Sequence, residues 1–520
     1  MPTEQLEDRA TNILLTHCDI HTSDPAIAKC NSVLIKGSRI QDVFYCPPGK
    51  ESIPNNSIQI NCSNHLVIPG LNDAHIHLLA SAAVMTQYPL NHVTHNNFSH
   101  LFEIIKNIVN ATAYSEWIGL YGLDDRFFFN EEFNSDFLDT ISTHHPLFIS
   151  NQTGHAIALN TPGLKMLNLD VFNENVDSGL VDVDDHGVIN GKFFDLNSMI
   201  YSKIALLTNK FTVESNLAKL FRDLHKRGVT SVQDAGHKNQ FDKLDRFDQF
   251  TSYEIPLRIG MMIECTAKNI DLANHIIANR KNSLVHLVGF KIMLSQSAGK
   301  YSLTDSELQD LVILSNSQGL RVAVHAVEEH SIKMALEAFS ASHKIYPDVI
   351  NRIEHCSEFT KTVLEASRTT PFYAVSQPGF ILNRGDYYLS ANHSSKIHSL
   401  YRFKTLLHAA EALAFSSDSP VIPPDPWEGF LSAENRLTRL NRRLGSISEQ
   451  LNFKQILDCY TKNAALVEGQ QAKKGEIKPS MLADIAVIKR PTTLSSNPVA
   501  LTILDGNIVW NSNELTLTSH

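Results

Sequence analysis

From Leu66 onward, short apolar runs rich in β-forming residues alternate with stretches of helical periodicity, and this alternation points to parallel βαβ construction. The runs are HLVIPGLNDAHIHL ending at Leu78, GVTSVQDA from Gly228, LRIGMMIE from Leu257 and LVGFKIML from Leu287. They continue with LRVAVHAV from Leu320, RIEHCSE from Arg352, FYAVSQP from Phe372 and ALAFSSDSP from Ala412. Eight strands, each followed by a helix, are what a closed (β/α)₈ TIM-type barrel needs, so the expected fold class is α/β with that barrel at its centre. A chain of 520 residues, 43% of them hydrophobic, is long enough to build such a core and to carry additions.

The intervening segments carry helix signals of their own. Thr304 followed by Glu307 reads as a capping box, Leu308, Leu311 and Val312 form an apolar stripe, and Gly319 stops the helix. After the fifth run, Ile332, Ala335, Leu336 and Phe339 recur at helical spacing. The gap between the first and second runs is far longer than a single crossover, so an inserted subdomain is expected at about 85–225. It follows the first strand's C-terminal end, so it is expected to cover the barrel mouth and shape the substrate pocket, with Trp117 and Phe127 to Phe129 as candidate apolar lining. Short strands with polar turns stand at both ends of the chain. Residues 1–65 and 470–520 are expected to pair into one small composite β-sandwich domain, leaving 66–469 for the barrel.

Composition excludes several classes of function. No run approaches the ~18 to 20 apolar residues of a membrane span, and the N-terminus lacks the pattern of a secretory signal, so a cytoplasmic location is expected. Seven cysteines without a C-x-x-C pair argue against a disulfide framework or a thiolate metal site. A net charge of −10 with no long basic run disfavours nucleic acid as a partner. The expected partner is a small-molecule substrate, in a chain that can be a homo-oligomer.

The chemistry gathers at the strand ends. His75 and His77 are one residue apart at the end of the first strand and therefore point to one face, where two imidazoles can bind zinc or a similar divalent ion. Asp73 shares that face as a ligand or orienter. In GFKIML the alternation turns Lys291 inward with Gly289 and Met293, and a buried lysine is costly without a task. Two readings stand: an amine that captures carbon dioxide as a metal-bridging carbamate, or an ammonium paired with an interior carboxylate. His325 closes the fifth strand, His355 the sixth and Asp418 the eighth, adding two nitrogen ligands and a carboxylate able to take a proton from water.

Taken together, PGLNDAHIHL, GFKIM, VAVHAVEEH, RIEHC and FSSDSP resemble the ordered metal motifs of the amidohydrolase superfamily, and the chain is most similar to its amidohydrolase-3, or YtcJ-like, branch. GLYGLDDRFFF, GHAIALNTPGL, GVTSVQDAG and GEIKPSMLADIAVI extend the likeness over nearly the whole chain. The resemblance implies a hydrolase of carbon–nitrogen bonds other than peptides, with two zinc ions per chain. His75 and His77 would hold one ion, His325 and His355 the other, carboxylated Lys291 would bridge them, and Asp418 would be ligand and general base. It also makes His155, which matches a substrate-facing histidine of the family, a substrate-binding candidate together with Asn160 and Gln377, with Asp234 close by. The chain departs from the branch where Ser295 and Gln296 replace a common Asp and Gly, and where Glu329 follows His325 in place of the usual acidic residue. Cys356 is expected to pack behind the barrel. Two alternatives remain: a mononuclear deaminase or cyclic-amide hydrolase, and a metal-binding barrel that has lost catalysis.

Overall fold

The computed structural model describes residues 12–22, 27–49, 56–90, 97–152, 156–169, 180–184, 186–194, 210–236, 238–278, 283–294, 300–390, 396–489 and 497–519, with a few single positions and pairs between them. Two compact units result. The first runs to His77 and resumes over Phe221–Ser295 and Leu303–His520; the second holds Leu78–Leu220 and Gln296–Ser302.

Eight parallel strands form the centre of the first unit: β1 (Leu71–Ile76), β2 (Val229–Asp234), β3 (Arg258–Glu264), β4 (Val285–Met293), β5 (Val322–Ala326), β6 (Arg352–His355), β7 (Tyr373–Ser376) and β8 (Ala412–Phe415). Each is hydrogen-bonded to its neighbour in this order. Just beyond β1 and β8 the ring is drawn together by Asp418 N donating to His75 O at 2.8 Å and His77 N to Ser419 O at 2.9 Å. Nearly every strand residue is buried, as expected of a parallel sheet covered on both faces. Close approach fixes two glycines. A Cβ on Gly70 would fall 2.1 Å from Thr230 Oγ1, and Gly289, at φ +156°, would place one 2.3 Å from the Arg321 carbonyl oxygen.

The helix signals are realised as read. Asp305–Ser317 opens on the Thr304/Glu307 capping box and buries Leu308 and Val312, and Gly319 follows it at φ +72°. Glu329–His343 buries Ile332, Ala335, Leu336 and Phe339. No helix among the described residues is long and apolar enough to cross a membrane.

Both ends of the chain enter two further sheets. One orders Leu517–Ser519, Ser57–Asn61, Asn12–Thr16, Ser32–Lys36 and Arg39–Phe44; the other orders Asp19–Ile20, His65–Pro69, Ile485–Lys489, Val499–Leu504 and Asn507–Asn511. Ile13, Leu15, Val33, Val67, Ile485, Val487 and Ile503 share their core. The first apolar run is thus divided: His65–Pro69 pairs with Ile485–Lys489, and the barrel begins at Leu71. Arg258 of β3 ties the sheets to the barrel through Asp484, at 2.5 and 3.0 Å, and Asp505, at 2.6 Å.

In the second unit six strands order as Leu180–Val183, Ile189–Phe194, Ala156–Leu159, Leu147–Asn151, Ile118–Leu123 and Tyr88–Pro89. Phe127 and Phe128 belong to its hydrophobic core with Leu101 and Ile105. Trp117 packs against Phe148 at 6.0 Å. Phe129 is 78% exposed. Two of the three phenylalanines are therefore structural.

Candidate metal centre

His75 stands at the end of β1 and His77 just beyond it. The His75 ring is buried, donates from Nδ1 to Glu354 Oε2, and sets Nε2 3.4 Å from Asp418 Oδ1. His77, less enclosed, places its own Nε2 3.1 Å from the same oxygen. Among the described residues His75, His77 and Asp418 form a group whose ligand atoms all lie within 4.8 Å of one another. Asp73 is not part of it. Its carboxylate accepts from Ser417 N at 2.9 Å and Ser417 Oγ at 2.5 Å, and so holds the segment that presents Asp418.

Three more strands bring their residues to the same place. The His325 ring meets that of His355 edge-on at 4.4 Å between centroids, and the His355 ring lies 5.0 Å from that of His75. Strand alternation alone would not aim both Glu354 and His355 inward. Positive φ angles at His355 (+69°) and Cys356 (+50°) provide the extra turn, and Asp418 beyond β8 is also left-handed (+58°). Such angles are strained for residues other than glycine and persist where the surroundings enforce them. His355 Nδ1 lies 3.0 Å from Gln377 Oε1, and Gln377 Nε2 in turn donates to Ser416 Oγ at 3.0 Å. That arrangement assigns the His355 proton to Nδ1 and leaves the Nε2 lone pair free.

Burial and charge keep these groups in ligating form. Burial, aided by Lys291, lowers the His75 pKa to about 3, and burial lowers that of His355, so both imidazoles are neutral at neutral pH. Burial would raise the Asp418 carboxyl, but the surrounding histidines hold it below the usual carboxylate range. Lys291 is pushed down to about 8 by burial first, and then by Arg352. Its Nζ and His355 Nε2 are buried without a hydrogen-bond partner. Orphaned atoms of this kind cost about 1–3 kcal/mol each, and a cation at this place would take up the lone pair of His355 Nε2. Imidazole and carboxylate donors without thiolates suit zinc and similar divalent ions.

The remaining candidates sit elsewhere or do other work. The Asn160 side chain caps the helix Thr161–Met166, accepting from Gly163 N and Leu147 N and donating to Ser142 O and His145 O. Those bonds occupy the amide, which has no exposed surface left for a substrate. Gln377 is likewise fully buried and serves His355. His155 and Ser295 lie outside the described residues, and Gln296 opens a two-residue strand paired with Lys300–Tyr301. Asp234 receives Asn239 Nδ2 at 2.6 Å and the Gly236 amide at 3.1 Å. Glu329 accepts from Thr362 Oγ1 at the start of its helix and does not join the histidines. Cys356 is buried, and burial pushes its thiol up, away from nucleophilic use. Glu354 was missed by sequence reasoning. The signal was an Arg and a Glu two apart on a strand that is otherwise apolar.

Eight parallel strands in barrel order, with histidines and an aspartate gathered at their ends, make a centre whose donors suit a divalent ion. The Amidohydrolase family pattern matches residues 59–510, and the chain belongs to that family. It is 23% identical over 511 residues to Protein LONG AFTER FAR-RED 3 of Arabidopsis thaliana, covering 92% of this chain and 87% of that protein. It is 20% identical to the N-substituted formamide deformylase of Arthrobacter pascens, covering 92% and 93%. A metal-dependent hydrolase from Pyrococcus horikoshii OT3 shares its fold, with a TM-score of 0.73 and 20% identity over 96% of this chain and 100% of that one.

Proposed function

We propose that this chain hydrolyses a non-peptide carbon–nitrogen bond of amide type in a small molecule, at a centre holding two zinc ions. The observation that carries the reading is the gathering of His75, His77 and Asp418, with ligand atoms within 4.8 Å of one another, beside His355, whose buried Nε2 has no hydrogen-bond partner. In this reading His75 and His77 would hold one ion and His325 and His355 the other, and Asp418, beside His75 and His77, would be a further ligand. A Lys291 pKa of about 8 leaves roughly a tenth of the amine neutral at pH 7. Carboxylated on that amine, with the displaced proton passing to solvent, Lys291 would offer two carbamate oxygens as ligands.

Bound divalent ions supply Lewis acidity, making a water more acidic and an amide carbonyl more electrophilic. The protein's own part is proton management. Asp418, ionised at neutral pH, takes a proton from the attacking water and passes it to the departing nitrogen. The new C–O bond thereby replaces the C–N bond, and an acid and an amine leave. Amide-type chemistry is favoured by family membership and by the formamide deformylase among the relatives.

Elemental analysis of the purified protein, with His75→Ala and Lys291→Ala beside it, tests this reading. About two equivalents of metal per chain, falling in both variants and accompanied by turnover of N-substituted formamides, is the expected result. One equivalent that Lys291→Ala leaves untouched would replace the bridge with a mononuclear deaminase or cyclic-amide mechanism. No metal after reconstitution would sink the hydrolase reading.

A further inference from the structure

Behind the histidines lies a pair of charges that the proposed reaction does not use. Arg352 and Glu354 alternate on β6, and neither has exposed surface. Burying two charges costs more than their attraction returns unless geometry is the gain. Arg352 Nε donates to Glu354 Oε1 at 2.5 Å and Nη2 to Glu354 Oε2 at 3.1 Å. The same guanidinium reaches Gln233 Oε1 on β2 at 2.5 Å and the Ala74 carbonyl on β1 at 2.8 Å. Glu354 Oε2 then accepts from His75 Nδ1.

A single arginine thus grips the imidazole of His75 through Glu354 and, through Ala74, the peptide just before it. The grip is anchored in turn. Gln233 Nε2 reaches Ala464 O at 3.1 Å and Asn72 Oδ1 at 3.4 Å, and Asn72 Nδ2 donates to Glu468 at 2.6 Å. Glu468 is held by Lys474 at 2.8 Å. The brace therefore crosses the barrel interior from β6 to β1 and β2 and ends on the C-terminal helix Lys462–Glu468.

We propose that Arg352 and Glu354 are positioning residues for metal capture: by holding the proton of His75 on Nδ1 and its ring in one orientation, they aim the Nε2 lone pair at the ion shared with His77. A neutral imidazole can carry its proton on either nitrogen, and only the Nδ1–H form leaves Nε2 to ligate. A carboxylate facing Nδ1 selects that form. The arginine fork fixes the plane of the carboxylate, as a lysine or a water could not. The inference rests on the metal-centre reading above.

Chelator competition and the visible spectrum of the cobalt-substituted protein test it, with wild type, Glu354→Gln and Glu468→Gln measured together. A glutamine at 354 has one acceptor oxygen where two donors compete, so either His75 or Arg352 loses its partner. Metal affinity of Glu354→Gln is expected to fall roughly 10- to 100-fold, with an altered cobalt spectrum. Glu468→Gln, four links back from Glu354 in the same network, is expected to lower the melting temperature and leave the spectrum as in wild type, which separates positioning from general support. If Glu354→Gln is not recovered folded, Arg352→Met/Glu354→Gln, which leaves no unpaired charge, carries the same measurement. A folded variant that binds metal within about twofold of wild type with an unchanged spectrum overturns the proposal. A wild type that takes up no metal overturns the metal-centre reading, and this inference with it.

Discussion

Lys291→Met replaces an amine that burial, with Arg352, lowers from 10.5 to about 8 while Glu354 and Asp418 pull the other way. The net depression corresponds to about 3 kcal/mol for keeping the ammonium inside the barrel. Below pH 8 the folded and unfolded chains both carry the proton, so the folded state bears the whole penalty. Between pH 8 and 10.5 the unfolded chain still holds a proton that the folded one has released, so unfolding free energy rises with pH across that window. Methionine has similar length and no charge. In metal-free, carbon dioxide-free buffer the variant should therefore be the more stable protein at pH 7, by about 3 kcal/mol, with the advantage shrinking as pH rises from 8 toward 10.5. The same variant should lose metal and activity. Melting temperatures of wild type and variant at pH 7 and pH 10 are the assay. A methionine variant that melts at or below wild type at pH 7 would refute the argument, because the lysine would then be contributing stability and would need no chemical task.

Three further outcomes are expected. Asp418→Asn should reduce kcat roughly 100- to 10,000-fold in steady-state assays on any substrate found, because an amide cannot take the proton. Gln377→Leu removes the acceptor of the His355 Nδ1 proton and should weaken metal binding roughly 10- to 100-fold, measured by chelator competition. Glu468→Gln strands the buried Lys474 ammonium and should cost about 3–5 kcal/mol at pH 7, read as a lower melting temperature. Glu468 is pushed down to about 2, since Lys474 and His286 outweigh burial. Its contribution is therefore complete above its ordinary 4.5 and fades as pH falls toward 2, so the two proteins should converge in acid.

The parts of the molecule that follow simple periodicities were legible before the structure. The eight strands follow from β-rich runs separated by helical stretches, His75 and His77 lie two apart at the end of β1 and just beyond it, and Lys291 is buried on β4. The capping box at Thr304 needed only the side chains at 304 and 307. What periodicity hides is the strand that breaks its own rule. Counting along β6 gives Arg352 and Glu354 one face and His355 the other, yet Glu354 and His355 both serve the histidine cluster because the backbone turns left-handed at His355 and Cys356. No window of sequence announces that turn, since neither residue is a glycine or an asparagine.

The hydrogen-bonding roles of Asn160 and Gln377 differ in how far they can be read from the sequence. Asn160 stands directly before Thr-Pro-Gly, a helix start with proline in its first turn, and that signature identifies a cap without any tertiary information. Only the bond from Gly163 N is local; the other three reach Leu147, Ser142 and His145, 13 to 18 positions away, and leave no trace in the adjacent sequence. Gln377 could not be resolved in the same way. Its partner His355 lies 22 positions away in sequence, and nothing local separates an amide that orients a histidine from one that faces a substrate. The general asymmetry is physical: local hydrogen bonding is written in adjacent residues, whereas the polar chain from Glu468 through Asn72, Gln233 and Arg352 to Glu354 and His75 exists only once the barrel has brought β1, β2 and β6 around one interior. A buried Arg and Glu two apart in a strand are the trace such a chain leaves in the sequence, because neither charge is tolerated inside unless the fold supplies the other partners.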